Sequence, residues 1–547
     1  MTRKDLANLI FPNIKLTVED YEKMYPERNL EKNAIVSRYA PSPTGFIHIG
    51  ALLSSFTDSV FAKQTNGVFY LRIEDTDTKR TVLNGIETII DGLKEFNVTF
   101  DEGPNSDNTS YGAYGPYIQS QRKEIYQSFI KYLIENDKAY PCFCSSEEID
   151  KIREDQESCK ARIGYYGEWA HCRNLSIDEA YEKIKNGESY IIRFKSYGDF
   201  NKKIVCHDEI RGDILFPEND IDIVIMKSDG LPTYHFAHLV DDHLMRTTHV
   251  IRGDEWLSSL PLHVQLFEAF NFEPLKYCHI APLCKVDEET GNVRKVSKRK
   301  DPEFAMSYYH KEGIPSEAVR LYLANITSSS FESWYLANPT LDIKDFKFEF
   351  KKMNKSGALF DVNKLMNISK MYISHLKADD LYNRVSKYLY EYNKDFYDEF
   401  TKDSNYSISI LNIEREIKKP RKDIGKYSDV FNEINYMYDK YFNPNYENKE
   451  LDSNMYLEYI KNIFNENDDK NTWFNNLSLF ASKYNYGSMK EYKENPDNYK
   501  GHIGDFCEGL RYIISGRTQT PDLYEITKIL KKNRLIDRIN NYKKIVE

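Results

Sequence analysis

The chain has 547 residues, of which 41% are hydrophobic and 29% are charged, and its formal charge is −10. These values lie in the range of globular proteins, so they exclude a disordered, collagen-like or disulfide-scaffold chain. At about 150 residues per domain, the length predicts three or four domains.

Hydropathy and cysteine spacing bear on compartment and metal binding. No run approaches the roughly 18 apolar residues of a membrane helix, and the mean hydropathy is −0.64. The apolar stretch at residues 6–11 is interrupted by Asn8 and stopped by Pro12, so it predicts no secretory signal and the expected compartment is the cytoplasm. Eight cysteines are too sparse for a disulfide framework, and the four from Cys142 to Cys172 indicate metal binding.

The first elements follow the order strand, helix, strand. After a leader, residues 1–33, a β-branched run at residues 34–39 predicts a strand. Residues 50–63 carry apolar side chains at helical spacing, and residues 68–73 predict a second strand. This βαβ unit predicts an α/β fold with a doubly wound parallel sheet, whose first half spans residues 34–113.

The middle of the chain has a mixed pattern. Residues 114–220 contain helical patterns at residues 121–138 and 176–185 on either side of the cysteine cluster, which predicts an insertion. The apolar strand at residues 221–226 predicts that the first sheet resumes over residues 221–290.

Helical patterns dominate the rest of the chain. They begin at about residue 302 and recur at residues 316–324, 362–372 and 381–392, so the last third is predicted to be all-helical.

A histidine and a glycine stand where the first strand gives way to the helix. Residues 38–50 read RYAPSPTGFIHIG. Unpaired N–H groups and the helix dipole favour phosphate at such a helix start, and Gly50 lets a flat ligand approach the backbone. His48 can donate to a phosphate oxygen during attack on the α-phosphorus. The alternative for an isolated His-x-Gly is a packed histidine at a turn, but this whole segment favours function.

A basic run lies far downstream. Residues 294–300 read RKVSKRK, and such a run is usually a solvated face. In the functional interpretation, Lys298 neutralises charge that spreads onto pyrophosphate. Together with the His48 segment, the run indicates a site that activates a carboxylate by adenylation.

These segments resemble the class I aminoacyl-tRNA synthetases, and within them the bacterial-type glutamyl-tRNA synthetases. His48-Ile49-Gly50 matches the HIGH-type motif with Ala51 in the last place, and residues 295–299 match the KMSKS-type loop. Further similar segments are residues 72–77, 227–242, 250–256, 360–361 and 510–517.

The resemblance implies a domain order. A Rossmann-type sheet is split by an inserted acceptor-binding domain at residues 114–220. A KMSKS loop and stem-contact domain follows at residues 291–370, and an all-helical anticodon-binding domain at residues 371–547.

The resemblance also implies the reaction. ATP and L-glutamate give glutamyl-adenylate, and the glutamyl group then passes to the 3′-terminal ribose of tRNA(Glu), with release of AMP and pyrophosphate. ATP carries Mg²⁺, which needs few protein ligands. The implied catalytic residues are His48, Gly50, Lys295, Lys298 and Arg299, and the implied ATP-binding residues are His48, Gly50, Glu255 and Lys298. Whether tRNA(Gln) is also charged stays open, and we expect a monomer that contacts no membrane.

Glutamate has two carboxylates and one ammonium, so its pocket needs two cations or strong donors and one buried anion. The resemblance places Arg38 and Tyr234 near the side-chain carboxylate, Glu74 near the α-amino group and Arg252 near a carboxylate. Which arginine reads which carboxylate stays open, and each charged residue could instead form a structural ion pair. The whole implied set is Arg38, Ala40, Ser42, Glu74, Tyr234, His238 and Arg252.

Zinc is the expected second metal. Cys142 and Cys144, followed by Cys172, fit a zinc knuckle in the insertion. Some relatives close such a site with Tyr or His, and the fourth-ligand candidates here are Tyr166, His171 and Cys159. The alternative is a group of buried or free thiols.

A basic patch in the helical third suggests an RNA contact. Residues 415–426 hold six cations and two anions. Bacterial relatives read the anticodon by splaying and stacking bases in this third, so the candidates are Arg415, Lys418, Arg421 and Lys422. The alternative is a solvated helix face.

Other functions remain as alternatives. A glutaminyl-tRNA synthetase has similar motifs, but usually carries PEPN where this chain has residues 41–44, PSPT, and its anticodon region is a β-barrel. A nucleotidyltransferase is disfavoured by the long helical third. A non-charging tRNA-binding relative is disfavoured because His48, Lys298, Arg38 and Glu74 are intact.

Overall fold

The computed structural model describes residues 1–43, 47–77, 82, 84–287, 289–297, 300–446 and 450–546. They form two compact units, Met1–Tyr308 with Arg320–Asp361, and Tyr309–Val319 with Val362–Glu547. None of the described helices is both long and apolar enough to cross a membrane.

The strands lie mostly in the first unit. They are β1 Val36–Tyr39, β2 Val68–Leu71, β3 Gly103–Pro104, β4 Ser110–Tyr111, β5 Ala139–Cys142, β6 Ile191–Phe194, β7 Lys203–Asp208, β8 Gly212–Pro217, β9 Val224–Met226, β10 His249–Gly253, β11 Lys276–Ile280, β12 Leu283–Val286, β13 Val293–Lys295 and β14 Ala358–Leu359. The short strands β15 Tyr486–Gly487 and β16 Gly501–His502 belong to the second unit.

Helices surround these strands and build the second unit. In chain order they are α1 Arg3–Ile10, α2 Val18–Met24, α3 Ile49–Gln64, α4 Gly85–Glu95, α5 Lys123–Glu135, α6 Ser146–Ser158, α7 Ile177–Lys185, α8 Tyr234–Leu244, α9 Leu260–Ala269, α10 Met306–Glu312, α11 Ser316–Thr327, α12 Phe331–Ala337, α13 Val362–His375, α14 Ala378–Tyr392, α15 Lys394–Lys402, α16 Ser404–Leu411, α17 Asp429–Ile434, α18 Ser453–Asn462, α19 Lys470–Lys483, α20 Met489–Glu494, α21 Ile503–Ser515 and α22 Leu523–Val546.

Two parallel βαβ units confirm the Rossmann-type prediction. Strands β1 and β2 pair in parallel across α3, and β10 and β11 pair in parallel across α9. Thr248, just before β10, donates its N–H to the Val36 carbonyl at 3.0 Å, which sets β10 beside β1. The carboxyl ends of β1 and β10 therefore lie close together, where parallel sheets bind ligands.

The predicted strand at residues 221–226 does not join the first sheet, so that part of the prediction is wrong, whereas β10, inside the predicted range 221–290, does lie beside β1. The part of this segment that forms a strand is β9, which pairs with β6 in the antiparallel sheet β5-β6-β9. Conversely, the hairpin β7–β8, which we expected inside the insertion, joins the second parallel pair through β11. A short apolar strand looks the same in sequence whichever sheet it joins, because periodicity reports burial and not partners.

The leader packs into the core of the first unit. Capping boxes begin α1 at Thr2 and α2 at Thr17. Apolar side chains of both helices are buried in the same core as α5, α8 and α9. Arg28, which follows α2, donates to both carboxylate oxygens of Glu102 at 2.8 and 2.9 Å.

The second unit is nearly all helical, as predicted. Its helices α13–α19, α21 and α22 share one core of aliphatic and aromatic side chains. The long helix α22 is kinked at Lys531, whose φ is 64°.

Candidate active site

His48 stands at the N-terminus of α3 as its N-cap residue. Its Nδ1 accepts the backbone N–H of Ala51 at 3.0 Å and so caps the helix. Burial and the nearby Lys295 lower the pKa of the imidazole, so His48 is neutral at neutral pH. Because Nδ1 is an acceptor, Nε2 carries the proton and is the atom that can donate to a ligand.

Gly50 lies against the His48 ring. A Cβ at this position would stand 3.2 Å from Nδ1 of His48, closer than ordinary van der Waals contact. A side chain here would displace the imidazole, which explains the glycine in the motif.

One cavity of about 630 Å³ opens at the carboxyl ends of β1 and β10. It gathers predicted site residues that lie more than 200 residues apart in sequence. Those that line it are Arg38, Ala40, Ser42, His48, Gly50, Glu74, Tyr234, Arg252, Glu255 and Lys295.

Arg38 and Glu74 belong to a buried charge network. The Arg38 Nε donates to the Asp242 carboxylate at 3.1 Å, and Arg72 Nη1 donates to the same group at 2.6 Å. Arg72 Nη2 also donates to Glu74 Oε1 at 3.1 Å. Burial raises the pKa of Glu74, although Arg72 and Arg38 oppose that shift. The ion-pair alternative therefore holds in part, and the same pairs fix these side chains at the cavity wall.

Arg252 has a different environment. Its Nε donates to His279 Nε2 at 3.0 Å, and Nη1 lies 3.4 Å from the Tyr234 hydroxyl. No carboxylate of the described residues lies within 4.0 Å of its guanidinium. Arg252 is thus a buried cation at the cavity wall that has no carboxylate counter-ion among the described residues.

His238 does not line the cavity, so the structure does not support it as a glutamate contact. It is fully buried, its Nδ1 bonds to Asp242, and its Nε2 lies 3.0 Å from the Tyr277 hydroxyl. The physical reason is its place on α8, one turn after Tyr234, where its ring is parallel to the Tyr234 ring at 6.2 Å. Tyr234 occupies the cavity side.

Lys295, the last residue of strand β13, reaches the same cavity. Its Nζ lies 3.9 Å from Glu255 Oε2. Arg294 pairs with both carboxylate oxygens of Asp301 at 2.7 and 2.8 Å, and Asp301 also accepts the Ser297 N–H. Lys298 and Arg299, the other predicted catalytic residues of the basic run, lie outside the described residues.

The cysteine cluster forms as predicted, but with a different tyrosine. Ligand atoms of Cys142, Cys144 and Cys172 all lie within 4.8 Å of one another. The Tyr165 hydroxyl lies 3.5 Å from Cys142 Sγ and 3.3 Å from Cys144 Sγ. Tyr166, one of the predicted fourth-ligand candidates, instead donates to the Arg162 carbonyl at 2.7 Å, so the prediction of Tyr166 as a ligand is wrong.

The basic patch separates into buried and exposed members. Arg415 is buried and donates to the carbonyls of Leu411 and Ile373, and burial lowers its pKa to about 10. It cannot reach a phosphate, so its assignment to tRNA is wrong. Arg421 is half-buried, 2.9 Å from Asp423. Lys418 and Lys422 are exposed.

Among the cavity residues that the sequence did not single out, two aromatic side chains pack directly on predicted site residues. Trp256 packs on Tyr234 with ring centroids 4.1 Å apart, and Phe304 stacks on His48 at 4.5 Å. Trp256 does lie in one of the segments that carry the family resemblance, whereas no local pattern singles out Phe304.

Comparison with known proteins agrees with this geometry. The family model "tRNA synthetases class I (E and Q), catalytic domain" matches residues 34–366, and the model "Anticodon binding domain" matches residues 380–543. The glutamate–tRNA ligase of Clostridium perfringens is 47% identical over 98% of this chain and 100% of its own length. That of Acetivibrio thermocellus is 45% identical over 98% and 99%.

Solved structures agree as well. A glutamate tRNA ligase from Elizabethkingia meningosepticum, in complex with its amino acid, aligns with a TM-score of 0.74 at 25% identity. It covers 94% of this chain and 100% of its own. With both family models matched and relatives of nearly equal length, the chain belongs to the class I aminoacyl-tRNA synthetases of the glutamate and glutamine group.

Proposed function

We propose that this chain activates L-glutamate with ATP and joins it to tRNA(Glu). The single observation that carries the proposal is the cavity at the split sheet. It combines a neutral histidine donor at a helix N-terminus, a buried carboxylate and a buried arginine that no carboxylate of the described part of the chain neutralises. Full-length similarity to glutamate–tRNA ligases supports the same reaction.

The amino acid would be held by complementary charge. Glu74 is placed to accept the α-ammonium, since Arg72 fixes its carboxylate at the cavity wall. Arg252 takes one carboxylate, because its charge is not neutralised by any carboxylate of the described residues. Arg38 shares its charge with Asp242 and, with Tyr234, is placed near the side-chain carboxylate. Glutamine would leave an arginine facing an uncharged amide, which costs more than a misfit in size.

ATP would lie along the start of α3. His48 Nε2 and the first N–H groups of α3 donate to phosphate oxygens. Bound Mg²⁺ supplies further charge neutralisation on the phosphates. No protein nucleophile is needed, because the glutamate carboxylate attacks the α-phosphorus. Catalysis therefore rests on positioning and charge, and loss of His48 or Lys298 should slow activation by about 10²- to 10³-fold.

Zinc fits the cysteine cluster. A tetrahedral zinc with Zn–S bonds of about 2.3 Å requires sulfurs about 3.8 Å apart and a phenolic oxygen about 3.5 Å from them. The Cys144 and Cys172 sulfurs are 3.6 Å apart, and the Tyr165 oxygen is 3.3 and 3.5 Å from two sulfurs. We therefore propose Cys142, Cys144, Cys172 and Tyr165 as the ligands.

Each of the other segments has a role in this proposal. Residues 114–220 bind the acceptor end, residues 291–370 contact the stem, and residues 371–547 bind the anticodon.

A charging assay tests the function. Purified protein should attach radiolabelled glutamate, and not glutamine, to tRNA(Glu). Parallel reactions on tRNA(Gln) decide whether that tRNA is a second acceptor. Attachment of glutamine would favour a glutaminyl-tRNA synthetase, and no charging of any tRNA would overturn the proposal.

A further inference from the structure

Two buried histidines hold the guanidinium of Arg252. Its Nε donates to His279 Nε2 at 3.0 Å, and Nη2 lies 3.1 Å from His263 Nδ1. A guanidinium has only donors, so both of these histidine nitrogens must be unprotonated acceptors. Both histidines are fully buried.

Asp208 fixes the tautomer of His279. Its Oδ2 lies 2.8 Å from His279 Nδ1, which therefore carries the proton, and it also accepts the His279 backbone N–H at 2.9 Å. The other oxygen accepts the N–H groups of Ile210 and Arg211 at 3.0 and 2.8 Å. Asp208 is fully buried at the end of β7, where β7 pairs with β11. These hydrogen bonds hold the Asp208 carboxylate in place, so His279 is restricted to the tautomer that carries its proton on Nδ1.

His263 is held in a similar way. Its Nε2 lies 2.9 Å from His235 Nδ1, so it donates there while Nδ1 accepts from Arg252. Burial lowers the pKa of His263 and His279, and the positive charge of Arg252 acts in the same direction. Both rings are therefore neutral.

Neutral acceptors have a consequence that a carboxylate would not have. Asp242 orients Arg38 but also neutralises it. His279 and His263 orient Arg252 and leave its charge available. The Nη1 atom remains beside the Tyr234 hydroxyl at the cavity wall.

We propose that Asp208, His279 and His263 are positioning residues that aim Arg252, whose charge no carboxylate among the described residues compensates, at a carboxylate of glutamate. This inference rests on the proposed function, because it requires the cavity to bind glutamate. It adds a specificity device formed by residues from β7, α9 and β11 that do not touch the substrate.

The test measures KM for glutamate and KM for ATP separately, in pyrophosphate exchange assays with tRNA present. His279→Leu removes the acceptor and should raise KM for glutamate about 10-fold or more, with kcat and KM for ATP within about 3-fold. His279→Gln returns an acceptor oxygen near the Nε2 position and should restore KM for glutamate to within about 3-fold of the parent.

Asp208→Asn probes the tautomer. The amide NH₂ would face Nδ1 and drive the proton to Nε2, so that two donors meet at Arg252. We expect an increase in KM for glutamate similar to that of His279→Leu. His249→Gln is the matched control, since His249 is a buried histidine on the strand of Arg252 that contacts Thr248 and not Arg252. It should leave both Michaelis constants unchanged.

Arg252→Lys tests the proposed glutamate pocket independently of the positioning role of His279. If it leaves KM for glutamate unchanged, the proposed pocket is wrong. If it raises KM while His279→Leu behaves as the parent, the pocket stands and the positioning role is refuted. The role is also refuted if His279→Leu and His279→Gln are equally impaired for both substrates and both melt earlier.

Discussion

The phenyl ring of Phe304 stacks on the imidazole of His48, with centroids 4.5 Å apart and planes inclined by 18°. An isolated antiparallel bridge joins His48 to Ala305 beside this stack. Phe304 lies shortly after the basic run at residues 294–300. The helix start that carries His48 is therefore in contact with the segment that follows this run.

Phe304→Leu should slow glutamate-dependent pyrophosphate exchange by about 3- to 10-fold, because a stacked aromatic pair contributes about 0.5–1.5 kcal/mol to holding the ring. Glutamate affinity should change little, since Phe304 packs on His48 and not on the residues around Arg252. Phe304→Tyr keeps an aromatic ring and serves as the control. Equal exchange rates in Phe304→Leu and the parent would contradict the role of the stack.

The purified protein should contain about one zinc per chain, measured by elemental mass spectrometry. Cys144→Ala should abolish most of that zinc, and Tyr165→Phe should weaken zinc binding about 10-fold or more. Tyr166→Phe is the matched control, because its hydroxyl bonds to the Arg162 carbonyl and not to the cysteines. Zinc content that survives in Cys144→Ala would exclude this cluster as the metal site.

Local signals were enough to predict the catalytic framework. The strand before Pro41 and the helical spacing after Gly50 correspond to β1 and α3, with the helix beginning at Ile49. Turn residues and apolar periodicity act over a few residues, so they can be read without knowledge of the fold. For the same reason, the motif around His48 was enough to predict that His48 lies at the start of a helix.

Contacts between distant segments could not be predicted. Arg38 and Asp242 are 204 residues apart, and nothing near either residue indicates the pair. Tyr165 and Tyr166 are the same residue type at adjacent positions, so only the backbone decides which one faces the cysteines. Arg415 looked like a surface cation because its three carbonyl partners are set by helix packing.

Stability should depend on pH through buried neutral histidines. Burial, with Lys276 nearby, lowers the pKa of His249 to about 4. In the unfolded chain, the His249 imidazole is protonated as the pH falls below about 6.5, whereas in the folded chain it stays neutral until about pH 4. The free energy of unfolding therefore falls as pH falls from about 6.5 to about 4, by up to about 1.4 kcal/mol per pH unit for this residue. Urea unfolding of the parent and of His249→Gln at pH 7, 6 and 5 should show a shallower decrease in the variant. Parallel decreases would contradict the assignment.

Lys418 and Lys422 are exposed cations of the basic patch, and they should contact tRNA phosphates. The double variant Lys418→Ala with Lys422→Ala should bind tRNA more weakly, with a plot of log affinity against log salt that is less steep by about 1.4. Lys490→Ala with Lys493→Ala, also exposed, is the charge-matched control and should keep the parent slope. Arg415→Ala should instead lower the melting temperature and keep the slope, because Arg415 satisfies buried carbonyls. Salt dependence that is identical in the two lysine variants would show that the patch does not touch phosphate.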